Sequence, residues 1–476
     1  MNTTSNFNKT HTTNKIILFC SILLVLFLIF FSFSSHIFLS IVTPIFLIIT
    51  FYFIKSNNEN IFIAFLALIV LFSRTFSYIK IPYTPVYSAE LFIVLSILFI
   101  VFSLLNGRSI KAINYPKIEF ALLFILIIYE ILYGLAYYND YLFVLRQSAI
   151  FYYSIFFFLA TLLFDSIHKI NKLTKVLYIS IILLIFTTIT RITIAGIGTY
   201  AYFYFSIALV ACLVHISLNK NTGLFVKLIT MVLLILTAVS EVRAVWIGII
   251  VALLFAFLIS LRNKHFKLFT TKLSITGTII FFTCFAGLII AKPQAINSIY
   301  DEFVTIFKPT NERVTSSNNT RWRLYVWKDI INESMEKPVL GWGFGKKFVP
   351  ETIAKLNWGG SWRQPSKYDP EAKGFQDPHN SFLSILHSTG IVGLFLFILI
   401  IGRVIISALK TINITNSKTI RTYLIALILI VICILATSLT MVVIEGPYFG
   451  IPFWVSLGLL TSLININEKE TNESKT

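Results

Sequence analysis

Charge is scarce in this sequence. Asp, Glu, Lys and Arg make up 13% of its 476 residues, where a soluble domain carries about a quarter. That shortage excludes an ordinary soluble domain. The 57% hydrophobic content and mean hydropathy of +0.83 define the class instead: an all-α, polytopic integral membrane protein. Cysteine is scarce too, and Cys20, Cys212, Cys284 and Cys433 all fall in apolar runs. They read as small packing residues, which leaves no disulfide framework and no cysteine metal site. A small-residue cleavage site is missing behind the first apolar run, so that run is expected to be an uncleaved span and not a signal peptide.

Long apolar runs are what the sequence has instead. A crossing of about 30 Å of hydrocarbon takes roughly 20 residues. Runs of that kind lie near 16–34, 36–54, 61–78, 87–105, 118–137, 147–165, 174–193, 200–217, 224–240, 244–261, 273–291, 381–402, 420–441 and 447–464. About 12–14 transmembrane helices follow. With a cytoplasmic N-terminus, the inner segments collect about twenty Lys and Arg, among them Arg108, Lys111, Lys117, Lys169, Lys172, Lys175, Arg262, Lys264, Lys267 and Lys272, and the positive-inside rule supports that orientation. The net charge of +18 is then mainly a topology signal. Its dispersal between spans argues against nucleic acid as a partner.

The expected organisation is a transmembrane bundle over 1–291, a long extracytoplasmic loop over 292–380, transmembrane helices over 381–464 and a polar cytoplasmic tail over 465–476. A loop of that length is expected to hold structure of its own. Asn319 and Thr320 can cap a helix from about Arg321 to Met335 that gathers Trp322, Leu324, Val326, Trp327, Ile330 and Ile331 on a broad apolar face. The simplest reading is an amphipathic helix along the membrane surface. Gly341-Trp342-Gly343-Phe344-Gly345 follows, a tight turn able to bring main-chain N–H groups near a ligand. It lacks the preceding strand and the Lys-Ser/Thr of a P-loop, so a plain turn is favoured over phosphate contact.

Two constellations carry chemistry. Arg146, Arg191 and Arg243 lie at outer boundaries of spans, against the positive-inside bias. Any one of them reads as a snorkelling side chain. Three on the side of the long loop read better as an anion site, because guanidinium stays charged and grips phosphate bidentately. The second is Asp377-Pro378-His379-Asn380-Ser381, where the polar loop meets a span. A histidine there can move a proton for a substrate with one end in lipid. It can equally be a helix-start residue, with Asp377 or Asn380 capping. His387 lies about two turns further along the same helix and could pack beside it, while Glu241 and Glu445 are alternative bases.

Arg243 with Trp246, then Arg321-Trp322-Arg323 and Trp327 in a long loop, Pro338 with the glycine turn, His379-Asn380-Ser381-Phe382 and Thr389-Gly390-Ile391-Val392-Gly393 together resemble the O-antigen ligase and polymerase superfamily of envelope polysaccharide enzymes. The resemblance covers about the C-terminal half of the chain. It implies a catalytic His379, with Arg243, and by position Arg191 and Arg146, engaging the diphosphate of an undecaprenyl-linked glycan. Trp246, Arg321, Asn380 and Glu241 are possible supporting residues.

The expected reaction is glycan transfer from that donor to an acceptor hydroxyl at the outer face of the bacterial inner membrane, with a glycan or lipid as acceptor. Neutral imidazole suits the proton and guanidinium the leaving diphosphate. No Asp-x-Asp or His-rich pattern is present in the loop, so the expectation is a metal-independent, inverting transfer with no cofactor. Polymerase and ligase, the latter building structures such as lipopolysaccharide, stay open. The alternative, a polysaccharide flippase or other transporter, would be expected to show internal repeats and several midplane charges, where this chain has mainly Glu90 and Glu130. A non-catalytic scaffold would leave the outer arginines without a use.

Overall fold

The computed structural model describes residues 59–78, 87–105, 116–190, 200–219, 221–240, 242–261, 319–347 and 378–473. In chain order these hold α1 (Glu59–Ser77), α2 (Ser88–Leu105), α3 (Lys117–Tyr137), α4 (Tyr141–Gln147), α5 (Ala149–Tyr152), α6 (Ile155–Leu163), α7 (Ile167–Thr190), α8 (Ala201–Leu218), α9 (Leu224–Val239), α10 (Arg243–Ser260), α11 (Asn319–Ser334), α12 (Ser381–Ile414), α13 (Lys418–Ser438) and α14 (Pro447–Glu473). The protein is an all-α polytopic membrane protein. Among the described residues six helices are long and apolar enough to cross a membrane, or seven if the bent pair spanning Tyr141–Leu163 is one span, and four further apolar helices are shorter. The spans expected over 16–34, 36–54 and 273–291 lie outside the described residues.

Helix ends follow the apolar runs closely where caps are simple. The run read as 118–137 is α3, and that read as 224–240 is α9. The span expected over 147–165 is instead interrupted. Ser148 turns its hydroxyl back to the Leu145 carbonyl at 2.8 Å, and the Phe151 N–H reaches only to the Ser148 carbonyl at 3.0 Å. Serine side chains that bond to nearby backbone compete with the helical ladder. α12 and α14 both outrun the expected spans, to Ile414 and Glu473; α12 continues on the buried Val404, Ile405, Ala408 and Ile412, and α14 through polar last turns.

The described chain falls into two compact units, one formed by residues up to 111 with 155–204, the other by 112–154 with 205–476. In the first, α1 packs on α7 and α2 on α6. Its core is aromatic: the Phe65 and Phe92 rings stack with centroids 3.7 Å apart, and Phe156 stacks on Phe62 at 5.9 Å. Lys172 and Glu59 pair at 3.0 Å between α7 and α1.

In the second unit α12 is the central helix, packed against α3, α11, α13 and α14. Trp454 of α14 is wholly buried, with Phe397 of α12 and Phe120 of α3 against it at 6.0 and 6.2 Å. Gly248 of α10 lies so close to α13 that an added Cβ would fall 2.3 Å from Thr437 Oγ1 and 2.8 Å from the Cys433 carbonyl, which explains how these two helices approach along their length.

α12 is broken at Gly390, whose φ of 62° and ψ of −167° are not helical. Segment 338–343 closes the gap. Its Trp342 and Gly343 N–H groups donate to the His387 and Ser388 carbonyls at 2.9 and 3.0 Å, and the Ile391 N–H donates to the Pro338 carbonyl at 2.8 Å. Irregular backbone at membrane depth is tolerated where protein satisfies it in this way. Glycine is required on both sides of the contact. A Cβ on Gly390 would meet the Val339 carbonyl oxygen at 2.2 Å, and one on Gly341 would meet the Gly390 nitrogen at 2.6 Å.

Candidate functional site

The start of α12, the helix α11 and the α13–α14 connection meet at one corner of the second unit. Asn380 is the N-cap of α12, its Oδ1 accepting from the Phe382 and Leu383 N–H groups at 3.0 and 3.1 Å. That satisfies two of the helix's free donors. His379 immediately precedes the cap in the left-handed region, at φ 53°. A branched or ring-bearing residue pays a steric penalty there and is held only when its surroundings fix it. Here the fixing groups are visible. The Trp327 indole of α11 donates to the Pro378 carbonyl at 2.8 Å, and Ser381 Oγ donates to Glu445 Oε2 at 2.5 Å while accepting from the Val443 N–H at 3.4 Å.

Arg323 of α11 completes the corner. Its Nη1 donates to the Thr440 carbonyl at 2.7 Å, beyond the end of α13. Burial, and then the charge of this guanidinium, lower the His379 imidazole from its ordinary 6.5 to about 4. The ring is therefore neutral at any physiological pH, more firmly than its unperturbed value would make it. Glu445 behaves in the opposite sense. Its Oε1 is shut off from solvent, and burial raises its carboxyl against the opposing hydrogen bond from Ser381. It thus serves first as the acceptor that ties α12 to the α13–α14 connection.

The expected surface helix is α11, but it does not simply lie along a bilayer. Val326 and Ile330 are buried and the helix packs on α12, whereas Leu324 and Ile331 of the same expected apolar face are exposed. The inner face is narrower than the sequence pattern implied, because it meets a helix and not a flat surface. His387 is buried at the next level down, its Nε2 3.5 Å from Glu333 Oε2. Burial pushes the Glu333 carboxyl up, but the hydrogen bond and charge of His387 and the Lys346 ammonium outweigh it and hold the group below its ordinary value. His387 thereby acts as a packed partner of the loop.

The glycine turn is a structural turn. Gly341, Gly343 and Gly345 all have positive φ. The N–H groups of Gly341, Trp342 and Gly343 are taken by the carbonyls of Lys337, His387 and Ser388, and that of Gly345 by Gln147 Oε1 at 2.6 Å. These donors point into the protein and not at an open anion site. Tyr138 Oη donates to the Trp342 carbonyl at 2.8 Å; burial pushes this hydroxyl up to about 12, so it stays a donor. The Trp342 ring is flanked by Lys337 and Lys346, whose ammonium groups stand 4.3 and 4.4 Å from its centroid.

Of the arginines expected to grip an anion, Arg146 is exposed in the last turn of α4. Arg191 lies outside the described residues, as does Glu241. Arg243 opens α10 and Arg321 stands in the first turn of α11, and the placement of both side chains also lies outside the description. Trp246 is half-buried one turn into α10. The guanidinium found beside His379 is Arg323, quoted from sequence only as part of a motif. Its signal was present in the spacing: Arg323, Trp327, Ile330 and Ser334 recur at helical intervals on one face of α11, and that face is the buried one.

The described helices of this all-α membrane protein bring a capped histidine beside a guanidinium. Residues 228–398, which run from α9 to the first half of α12, match the O-antigen ligase family. A protein of Rickettsia typhi provisionally named a polysaccharide ligase is 27% identical over 212 residues, 44% of this chain and 45% of the relative. Another provisional polysaccharide ligase, from Rickettsia prowazekii, is 26% identical over 200 residues, 41% of this chain and 42% of the relative. The chain thus spans less than half the length of the curated relatives it matches.

Proposed function

We propose that the protein transfers a glycan from an undecaprenyl-diphosphate-linked donor to an acceptor hydroxyl on a second glycan or a lipid, in envelope polysaccharide biogenesis. The observation that supports this most is His379. It is a neutral imidazole fixed at the junction of a polar loop and a membrane helix, with the Arg323 guanidinium beside it, inside the segment that matches the O-antigen ligase family.

The chemistry follows from that arrangement. The acceptor oxygen attacks the anomeric carbon while His379 takes its proton. The bond from that carbon to the diphosphate oxygen breaks, and undecaprenyl diphosphate leaves with the electron pair. A single displacement inverts the sugar carbon and forms no covalent enzyme intermediate. Arg243, Arg191 and Arg146 neutralise the leaving diphosphate, with Arg323 adding positive charge near the base. Fixed guanidinium charge supplies what a divalent metal otherwise would, so the reaction is metal-independent. On this reading residues 292–380 face the outside of the bacterial inner membrane, and both chain termini are cytoplasmic.

The test is transfer by the purified protein from an undecaprenyl-diphosphate-linked oligosaccharide. Chain elongation on the carrier marks a polymerase, and movement of a finished chain to another acceptor marks a ligase. Failure with every such donor overturns the proposal, and loss of transfer with EDTA, restored by a divalent ion, overturns its metal-independent form.

A further inference from the structure

Residues 327–347 trace a hairpin between α3 and α12, and the order of their contacts gives its direction. On the way down, Trp327 Nε1 donates to the Pro378 carbonyl just before α12, Glu333 meets His387, and the Pro338 and Val339 carbonyls accept from the Ile391 and Val392 N–H groups. Each contact lies further along α12. On the way back, a Cβ on Gly343 would meet Tyr133 and Glu130 of α3, one on Gly345 would meet Tyr138, and Lys347 pairs with Asp140 at 3.4 Å. These contacts climb towards the Tyr137 end of α3 and pass it. The turn between the two arms is therefore the deepest point of the hairpin.

The two helices, both long and apolar enough to cross a membrane, give its depth independently. From Ser381 at the start of α12 to Gly390, which Val339 touches, is about 14 Å along the axis, and from Tyr137 back to Glu130 of α3 is about 10 Å. The composition of the turn suits that depth. No residue from Pro338 to Gly345 is charged, and Val339 and Leu340 are apolar and 58% and 39% exposed. They extend the exposed surface of the neighbouring spans, Val339 beside Ile391 on α12 and Leu340 across from Tyr129 on α3. The backbone is turned inward. The Gly341, Trp342 and Gly343 N–H groups donate to the Lys337, His387 and Ser388 carbonyls, and the Trp342 carbonyl accepts from Tyr138 Oη, the condition for irregular backbone at membrane depth. Glu336 and Lys337 precede the tip, and Lys337 Nζ is held by Tyr133 Oη at 2.8 Å and over the Trp342 ring at 4.3 Å.

We propose that this segment is a re-entrant hairpin whose Pro338–Leu340 tip stands in the hydrocarbon of one leaflet, covered by the acyl chains of bilayer phospholipids. Part of the loop read from sequence as aqueous is then a membrane-inserted element. The proposal rests on α3 and α12 being spans and not on the transfer reaction. A tip held by lipid sets the height of α11 against α12, and with it the level of Arg323 beside His379.

The experiment reconstitutes the full wild-type chain, with no glycan donor present, in bilayers of phosphatidylethanolamine and phosphatidylglycerol. Each bilayer contains a trace of phospholipid with a photoactivatable group either midway along an acyl chain or on the headgroup, and labelled residues are read by peptide mass spectrometry. The ratio of chain to headgroup labelling at Val339 and Leu340 should match that at Ile391, their neighbour on α12, and exceed that at Tyr137 and Tyr141, which are exposed around the end of α3. A ratio at the tip closer to the Tyr137 and Tyr141 value than to the Ile391 value overturns the proposal, as does an unlabelled tip where Ile391 is labelled. Wild type is used throughout, so no variant has to fold.

Discussion

The Arg323 guanidinium reaches from α11 to within electrostatic range of the His379 imidazole while its Nη1 is fixed on the Thr440 carbonyl at 2.7 Å. Three separate stretches of chain thereby set the protonation of one ring. His379 keeps its lone pair down to about pH 4, well below the ordinary 6.5. The rate of glycan transfer should therefore hold between pH 7 and pH 5 and fall only as the pH approaches about 4. Arg323→Gln should move that acid limb upward but not to 6.5, because burial, the larger cause, remains. A pH–rate profile of the purified protein checks both statements.

The same shift has a consequence for stability. Between the folded and ordinary values the unfolded chain binds a proton at His379 and the folded chain does not, so the fold loses stability as pH drops from about 6.5 towards 4. His379→Gln removes the titrating ring and should flatten that part of the dependence. Thermal unfolding midpoints of the two proteins across this pH range measure it.

Gly390 and Gly402 lie on the same helix with opposite surroundings. A Cβ on Gly390 would meet the Val339 carbonyl oxygen at 2.2 Å at a positive φ, while nothing lies within 4 Å of one on Gly402. Gly390→Ala should destabilise by about 2 kcal/mol or more through the clash and the strained backbone. Gly402→Ala should be neutral or stabilising by about 0.5–1 kcal/mol through its helix propensity. Reversible unfolding in detergent separates the two.

Asn380 holds the start of α12 and with it the position of His379. Asn380→Ala should cost about 1 kcal/mol through loss of the cap and slow transfer by displacing the base, whereas Asn380→Asp, which keeps the acceptor oxygen, should restore most of both. Unfolding and turnover measured on the two variants test whether the cap acts through position.

Much of this was legible in the chain. The run at 118–137 is α3 within a residue, because a predominantly apolar stretch of spanning length forms a helix in a bilayer even with Glu119 and Glu130 inside it. Asn380 was legible beside Asp377 as a cap candidate, of which the structure uses Asn380, and His379 as a junction residue, for similar local reasons. The break at Gly390 was not legible. A glycine inside an apolar run reads as packing until a partner segment is known, and that partner, 338–343, lies about fifty residues away. Arg323 is not legible as a neighbour of His379, because helical spacing shows which face is inward without showing what it meets. Arg146, Arg191 and Arg243 stand out in the sequence by their place beside spans, a rule that cannot find a guanidinium carried in by a loop helix.

The central claim is that His379 accepts the acceptor's proton. Its most direct test is the single-turnover rate of glycan transfer by purified His379→Ala protein, compared with wild type at equal amounts of folded, membrane-inserted protein. The account predicts a fall of at least about 100-fold, the usual contribution of a general base, with donor binding retained. Transfer at the wild-type rate would contradict it.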